Sequence, residues 1–237
     1  MQHRLAAFAL TLCLLPIGAL AECRQALALG LDVSGSVDLR EYRLQIDGLV
    51  TALDDPDVVR LLLSTPTAPV SLLVYEWSGA DDHAVLVPWT SINGSQELSE
   101  MRATLAQAER RVTTPGTALG EAMKRGVEHL SDQGHCWKQT LDISGDGKSN
   151  LGPRPRHIKE AFHDKGITLN ALVVAPDITG SEGTGPNSED LSSYFRAEVI
   201  FGPDAFVETA SGYEDYAAAM ARKLKRELEG RVIGAVQ

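Results

Sequence analysis

The sequence predicts an α/β fold with a central, mostly parallel sheet covered by helices on both sides. Three observations predict it. Apolar runs of strand length alternate with amphipathic stripes of helical period along most of the chain. Two of the runs, at 26–31 and 167–174, are apolar on both faces, as expected of strands sandwiched between helix layers. A third pair of runs, 70–77 and 83–89, is joined by Ser78-Gly79-Ala80-Asp81-Asp82, a turn segment that makes them an antiparallel hairpin.

Taken in order, the first strand stops abruptly at Asp32. A helix over 38–53 follows, with Leu39, Tyr42, Ile46, Leu49, Val50 and Leu53 on one stripe. Asp38 is a suitable N-cap, and Glu41 stands three residues on in the capping-box position. Asp54-Asp55-Pro56 reads as its end. After the hairpin, Leu98, Met101, Leu105 and Ala108 mark a helix, and another spans 118–130. A short strand at 139–144 runs into Gly145-Asp146-Gly147. A helix at 155–165 opens on a proline, which suits a first helical turn. The strand at 167–174 leads into a loop over 175–190 rich in Pro, Gly, Ser and acid, then a brief strand at 199–201 and a last helix at 213–229.

The first 21 residues have the three parts of a secretory signal: a basic start at Arg4, an apolar core from Leu5 to Leu20, and Ala19-Leu20-Ala21 before the cut. The expected organisation is a signal peptide at 1–21 and a single domain at 22–237, periplasmic or secreted. No later stretch is apolar enough for a stable membrane span after cleavage. The whole chain carries a net charge of −10, and the signal removes one positive charge. That balance argues against nucleic acid and anionic membranes as partners. Of three cysteines, Cys13 leaves with the signal, and Cys23 and Cys136 remain. Two cysteines in an exported protein are the arithmetic of one disulfide.

The chemistry concentrates at strand ends. Asp32-x-Ser34-x-Ser36 puts one carboxylate and two hydroxyls on a tight turn. Thr117 stands immediately before a helix, and Asp146 follows the strand at 139–144. Ligands of open α/β sheets bind beyond the carboxyl ends of the strands. Neutral hydroxyls with few carboxylates suit a hard divalent cation, Mg²⁺ or Mn²⁺, and leave it under-neutralised. Asp142, Thr113 and Thr114 are second choices for the same roles.

This set, in this order, resembles the metal-ion-dependent adhesion site of von Willebrand factor A domains, and the likeness runs from about Cys23 to Glu229. Leu31-Asp32-Val33-Ser34-Gly35-Ser36-Val37-Asp38, Val87-Pro88-Trp89-Thr90 and Asp142-Ile143-Ser144-Gly145-Asp146-Gly147 look more narrowly like the exported bacterial group called domain of unknown function 1194. The resemblance implies a doubly wound sheet with one antiparallel edge strand. It implies that Ser34 and Ser36 bind the metal directly, Thr117 directly or through water, and Asp32 and Asp146 chiefly through water. It implies a binding module without catalysis, in which an acidic residue of a protein partner completes the coordination. It also places the strands that follow Cys23 and Cys136 side by side, so that the two sulfurs meet at the edge opposite the metal.

Two rivals follow from the same residues. A Mg²⁺-dependent phosphatase of the haloacid dehalogenase type would use Asp32 as nucleophile, but Ser34 stands where its general acid belongs. An assembly module with a vestigial metal site would not need all five ligands. Lys148, Arg154, Arg156, His157 and Lys159 form a basic cluster after Asp146 that would steer an acidic partner. Trp77 and Trp89 are expected to pack the hairpin.

Overall fold

The computed structural model describes residues 23–175 and 188–229. The expected signal peptide and most of the expected 175–190 loop lie outside the described residues. Strands β1 (Gln25–Asp32), β2 (Val70–Trp77), β3 (His83–Ile92), β4 (Gln139–Gly145), β5 (Ile167–Val174) and β6 (Val207–Ala210) form one sheet in the order β3-β2-β1-β4-β5-β6. All neighbours are parallel except β2 and β3, which makes β3 the antiparallel edge. The expected doubly wound arrangement is therefore the observed one.

One face of the sheet is covered by α1 (Leu39–Ala52), α2 (Pro56–Leu62), α3 (Ser95–Ala106) and α7 (Tyr216–Glu229), and the other by α4 (Leu119–Ser131), α5 (Pro155–Phe162) and α6 (Ser188–Tyr194). Alternation along β1 divides its side chains between two cores. Leu27, Leu29 and Leu31 join Ile46, Leu49 and Leu224 on the first face, and Ala26 and Ala28 join Met123, Tyr75 and Ile143 on the second. The small residues on the second face have a cause. A Cβ on Gly30 would come within 2.7 Å of the Tyr75 ring, and the Tyr75 hydroxyl donates to the Ala122 carbonyl at 2.8 Å. Tyr75 thereby ties β2 to α4 through the space that Gly30 leaves.

The α1 N-terminus carries the expected capping box. Asp38 accepts from the Glu41 amide at 2.8 Å, and Glu41 accepts from the Asp38 amide at 2.8 Å. Three expectations need correction. Asp54-Asp55-Pro56 does not only end α1, because Asp55 caps α2 and Pro56 is its first residue. The expected strand at 199–201 is absent. Phe195–Val199 form a π-helical turn, and only Phe201 pairs, in a single bridge to Leu169. The last strand is instead β6, four residues that are mostly half-buried. The 213–229 helix begins as one 3-10 turn, Tyr213–Asp215, before α7.

Cys23 and Cys136 are joined by a disulfide, with Cα atoms 4.4 Å apart. They sit just before β1 and β4, at the end of the sheet opposite Asp32. Trp77, at the end of β2, is buried in the α4-side core, and Trp89 donates its ring N–H to the His129 carbonyl at 3.2 Å. No helix among the described residues is long and apolar enough to cross a membrane.

Candidate metal centre

Three segments converge beyond the carboxyl ends of β1 and β4. They are the loop after Asp32, the stretch leading to Thr117 before α4, and the turn at Asp146. Asp32 is fully buried. Its Oδ1 accepts from the Ser34 amide at 2.8 Å, which turns the chain sharply at the strand end. The loop carbonyls are gathered by donors from elsewhere. Arg110 Nη2 donates to the carbonyls of Val33 and Ser34, each at 3.3 Å, and of Val37 at 2.9 Å. Gln45 donates to the Asp32 carbonyl at 2.9 Å, and the Thr113 hydroxyl donates to Val33 at 3.1 Å.

Thr117 is placed from both sides. The Ala118 amide donates to the Ser78 carbonyl at 2.7 Å, and Asn150 accepts from the Thr117 amide through its side chain at 2.9 Å.

The side-chain oxygens form a continuous chain. Thr117 Oγ1 donates to Ser34 Oγ at 3.3 Å, Ser34 Oγ lies 3.3 Å from Ser36 Oγ, and Ser36 Oγ donates to Asp146 Oδ1 at 2.7 Å. Tyr213 donates to Asp146 Oδ2 at 3.3 Å. The structure thus brings Asp32, Ser34, Ser36, Thr117 and Asp146 into one cluster. It leaves the second choices elsewhere. Asp142 points into the α7 side of the sheet, Thr113 holds the Val33 carbonyl, and Thr114 binds Asp82.

The electrostatics of this cluster are unfavourable without a cation. Burial, reinforced by the nearby Asp146 carboxylate, pushes Asp32 up to about 8 despite the opposing Ser34 hydrogen bonds. Burial also raises Asp146, against the pull of Ser36 and Tyr213. Asp32 Oδ2 is buried and has no hydrogen-bond partner among the described residues. A buried carboxylate oxygen left in this way is costly. The donor set of two carboxylates and three hydroxyls, all hard oxygens, fits a small divalent cation.

Beside the cluster lies a cleft of about 360 Å³ lined by Ser36, Glu41, Asp146, Tyr213 and Glu214. Cys23, His135 and Cys136 are also close together, but both sulfurs are spent in the disulfide. Arg110, Gln45, Asn150 and Tyr213 are parts of the site that sequence reasoning missed. Each acts on a group 13 or more residues away in sequence.

The topology is the von Willebrand factor A-type fold that the sequence resemblance implies. The family model described as protein of unknown function (DUF1194) matches residues 22–232, and the chain belongs to that family. Proximal thread matrix protein 1 from the mussel byssus superposes with a TM-score of 0.61 at 15% identity, over 88% of this chain and 48% of that one. Another structure of that mussel protein is described as having a zinc-occupied MIDAS motif. The pilus adhesin SpaC from Lactobacillus rhamnosus GG, in its open conformation, gives 0.62 at 13% identity, over 87% of this chain and 30% of that one. A von Willebrand factor type A protein from Catenulispora acidiphila gives 0.58 at 12% identity, over 87% and 42%. The chain therefore spans about half or less of the length of these three proteins. No curated protein matches the chain.

Proposed function

We propose that this protein is an exported binding module that holds one divalent cation, Mg²⁺ or Mn²⁺, and uses it to engage a carboxylate on a protein partner. The observation that carries the reading is the buried, unpartnered Asp32 Oδ2 beside the linked oxygens of Ser34, Ser36, Thr117 and Asp146. When bound, the ion supplies positive charge and an open coordination position. Ser34, Ser36 and Thr117 would hold it through hydroxyl oxygens, and Asp32 and Asp146 would balance its charge. Neutral hydroxyls leave part of that charge uncompensated, so a partner's Asp or Glu is attracted to it. The zinc-occupied motif of the mussel protein and the description of SpaC as a pilus adhesin support a binding role over a catalytic one.

Export is supported by the disulfide, which persists in oxidising compartments. N-terminal sequencing of the processed protein should begin at Glu22.

The test of the metal reading is a Mg²⁺ titration of chelator-treated protein. At a concentration a hundredfold above Kd, binding should raise the melting temperature by about 5 °C or more. Asp32→Ala should abolish the response. A flat wild-type titration, or an equal response in the variant, overturns the proposal. Capture of a partner from extract in Mg²⁺, and its loss with chelator, tests the second half.

A further inference from the structure

On the opposite side of the sheet from α4, three charged side chains are sealed together. Lys223 of α7 is fully buried, and Asp142 of β4 and Glu227 of α7 are each 2% exposed. Lys223 Nζ lies 2.7 Å from Asp142 Oδ2 and 2.6 Å from Glu227 Oε1. Glu227 Oε1 also accepts from the Asn170 amide group at 2.6 Å, which fixes its carboxylate in place. Asn170 is itself held, because its oxygen accepts from the Phe206 amide at 3.1 Å. The Phe206 ring covers the amine, with its centroid 5.3 Å from Nζ.

The contact between Lys223 and Asp142 is unlike an ordinary ion pair. Lys223 Nζ donates to Glu227 in good geometry, yet neither oxygen of Asp142 has a hydrogen-bond partner, even with the amine 2.7 Å away. The amine approaches the carboxyl group without aligning on its lone pairs. A buried carboxylate that receives no hydrogen bond is held in a poor state for an anion. Burial, with the nearby Glu227 charge, raises Asp142 to about 7 even against the pull of Lys223, so the neutral acid is within reach near neutral pH.

We propose that Lys223 and Asp142 condense into an intramolecular isopeptide bond, with Glu227 as the proton carrier. Glu227 takes a proton from the ammonium, which frees the amine as a nucleophile. Nζ attacks Cγ of the protonated Asp142 carboxyl, and the N–Cγ bond forms. Glu227 returns its proton to the departing hydroxyl, the Cγ–O bond breaks, and one water leaves; the second amine proton then passes from the nitrogen to Glu227, which ends as the neutral acid. No oxidant or cofactor is required. The product replaces the buried Lys223 and Glu227 charges with a neutral amide and a neutral acid, and joins the central strand β4 covalently to α7. α7 would then be tethered to the sheet independently of the disulfide.

The test is the mass of the folded wild-type protein, measured after reduction and set against its N-terminal sequence. The expected mass is about 18 Da below the sum of the residues, the mass of one water. Trypsin should fail to cut after an acylated Lys223, so a branched species should join the peptide 139–148 to residues 223–225. A loss of water located at Asp146-Gly147 would be a succinimide, and it would overturn the proposal, as would the full unmodified mass. Glu227→Gln, which keeps the shape and the Asn170 contact, should fold and show the full mass with normal cleavage at Lys223. If that variant carries the cross-link, Glu227 is not the proton carrier. Should it fail to fold, the wild-type mass alone still decides whether the bond exists.

Discussion

Asn150 and Thr117 clasp each other through their backbones and one side chain. Asn150 Oδ1 accepts from the Thr117 amide at 2.9 Å, and the Asn150 amide donates to the Thr117 carbonyl at 3.0 Å. Thr117 is thereby held before α4, with its hydroxyl aimed at Ser34. Groups that orient a metal ligand without touching the metal commonly matter tenfold or more in affinity. Asn150→Ala should therefore weaken Mg²⁺ binding by about tenfold. Its cost in stability should be only about 1 kcal/mol, since one hydrogen bond is lost. Mg²⁺ titration followed by melting temperature checks the first, and urea unfolding in chelator checks the second.

Gly35 and Pro115 make the second clasp of the site. The Gly35 amide donates to the Pro115 carbonyl at 3.1 Å, and a Cβ on Gly35 would sit 2.7 Å from Pro115 Cβ. The glycine is required by this close approach. Gly35→Ala should push the 33–38 loop away from the 113–117 segment and separate Ser34 from Thr117. The expected result is a loss of Mg²⁺ affinity of more than tenfold, with destabilisation of about 1–3 kcal/mol from the forced contact. A variant that titrates like the wild type would show that the two loops are not the joint wall of the ion site.

The parts legible in the sequence share one property, which is that local residues determine them. Asp38 and Glu41 announced the start of α1 because a capping box is complete within four residues. Asp32, Ser34 and Ser36 were legible because an apolar run ended on them. The missed elements have physical reasons too. Asp55 and Pro56 are signals for starting a helix as much as for stopping one, and the buried Val58, Leu61 and Leu62 decide it. β6 is an edge strand of four residues, Val207–Ala210, with two polar side chains, so it carries little apolar pattern. Val199 and Phe201, by contrast, are apolar because they plug the α4-side core, not because they extend a sheet. Arg110, Gln45 and Asn150 bond to backbone groups far away in sequence, and nothing in their own neighbourhood marks them.

The disulfide and the candidate ion site lie at opposite ends of β1 and β4, so they should act independently. Cys23 and Cys136 close a span of 113 residues. A loop of that size restricts the unfolded chain enough to stabilise the fold by about 2–5 kcal/mol. Reduction, or Cys136→Ser, should lower the urea midpoint accordingly. The increment in melting temperature caused by Mg²⁺ should be unchanged in the reduced protein. A reduced protein that loses its Mg²⁺ response while still folded would mean that strain passes along the strands from one end to the other.

Glu76 of β2 gives the protein a pH dependence of its own. It is fully buried, Tyr42 donates to its Oε1 at 2.7 Å, and Arg111 Nε lies 3.5 Å from its Oε2. Burial raises its pKa above the ordinary 4.5, and the Tyr42 and Arg111 interactions only partly offset this. The native state then holds a proton that the unfolded chain releases first. Stability from this group is full below the ordinary glutamate range and is lost as pH rises from there through the raised value. Glu76→Gln keeps an acceptor for Tyr42 and cannot ionise. Relative to the variant, the wild type should lose stability steadily as pH rises above about 4.5, the ordinary glutamate value. Urea unfolding of both proteins at several pH values, at one fixed Mg²⁺ concentration, measures the difference directly. A difference that stays constant with pH, or that grows in favour of the wild type, would show that the Arg111 contact outweighs burial.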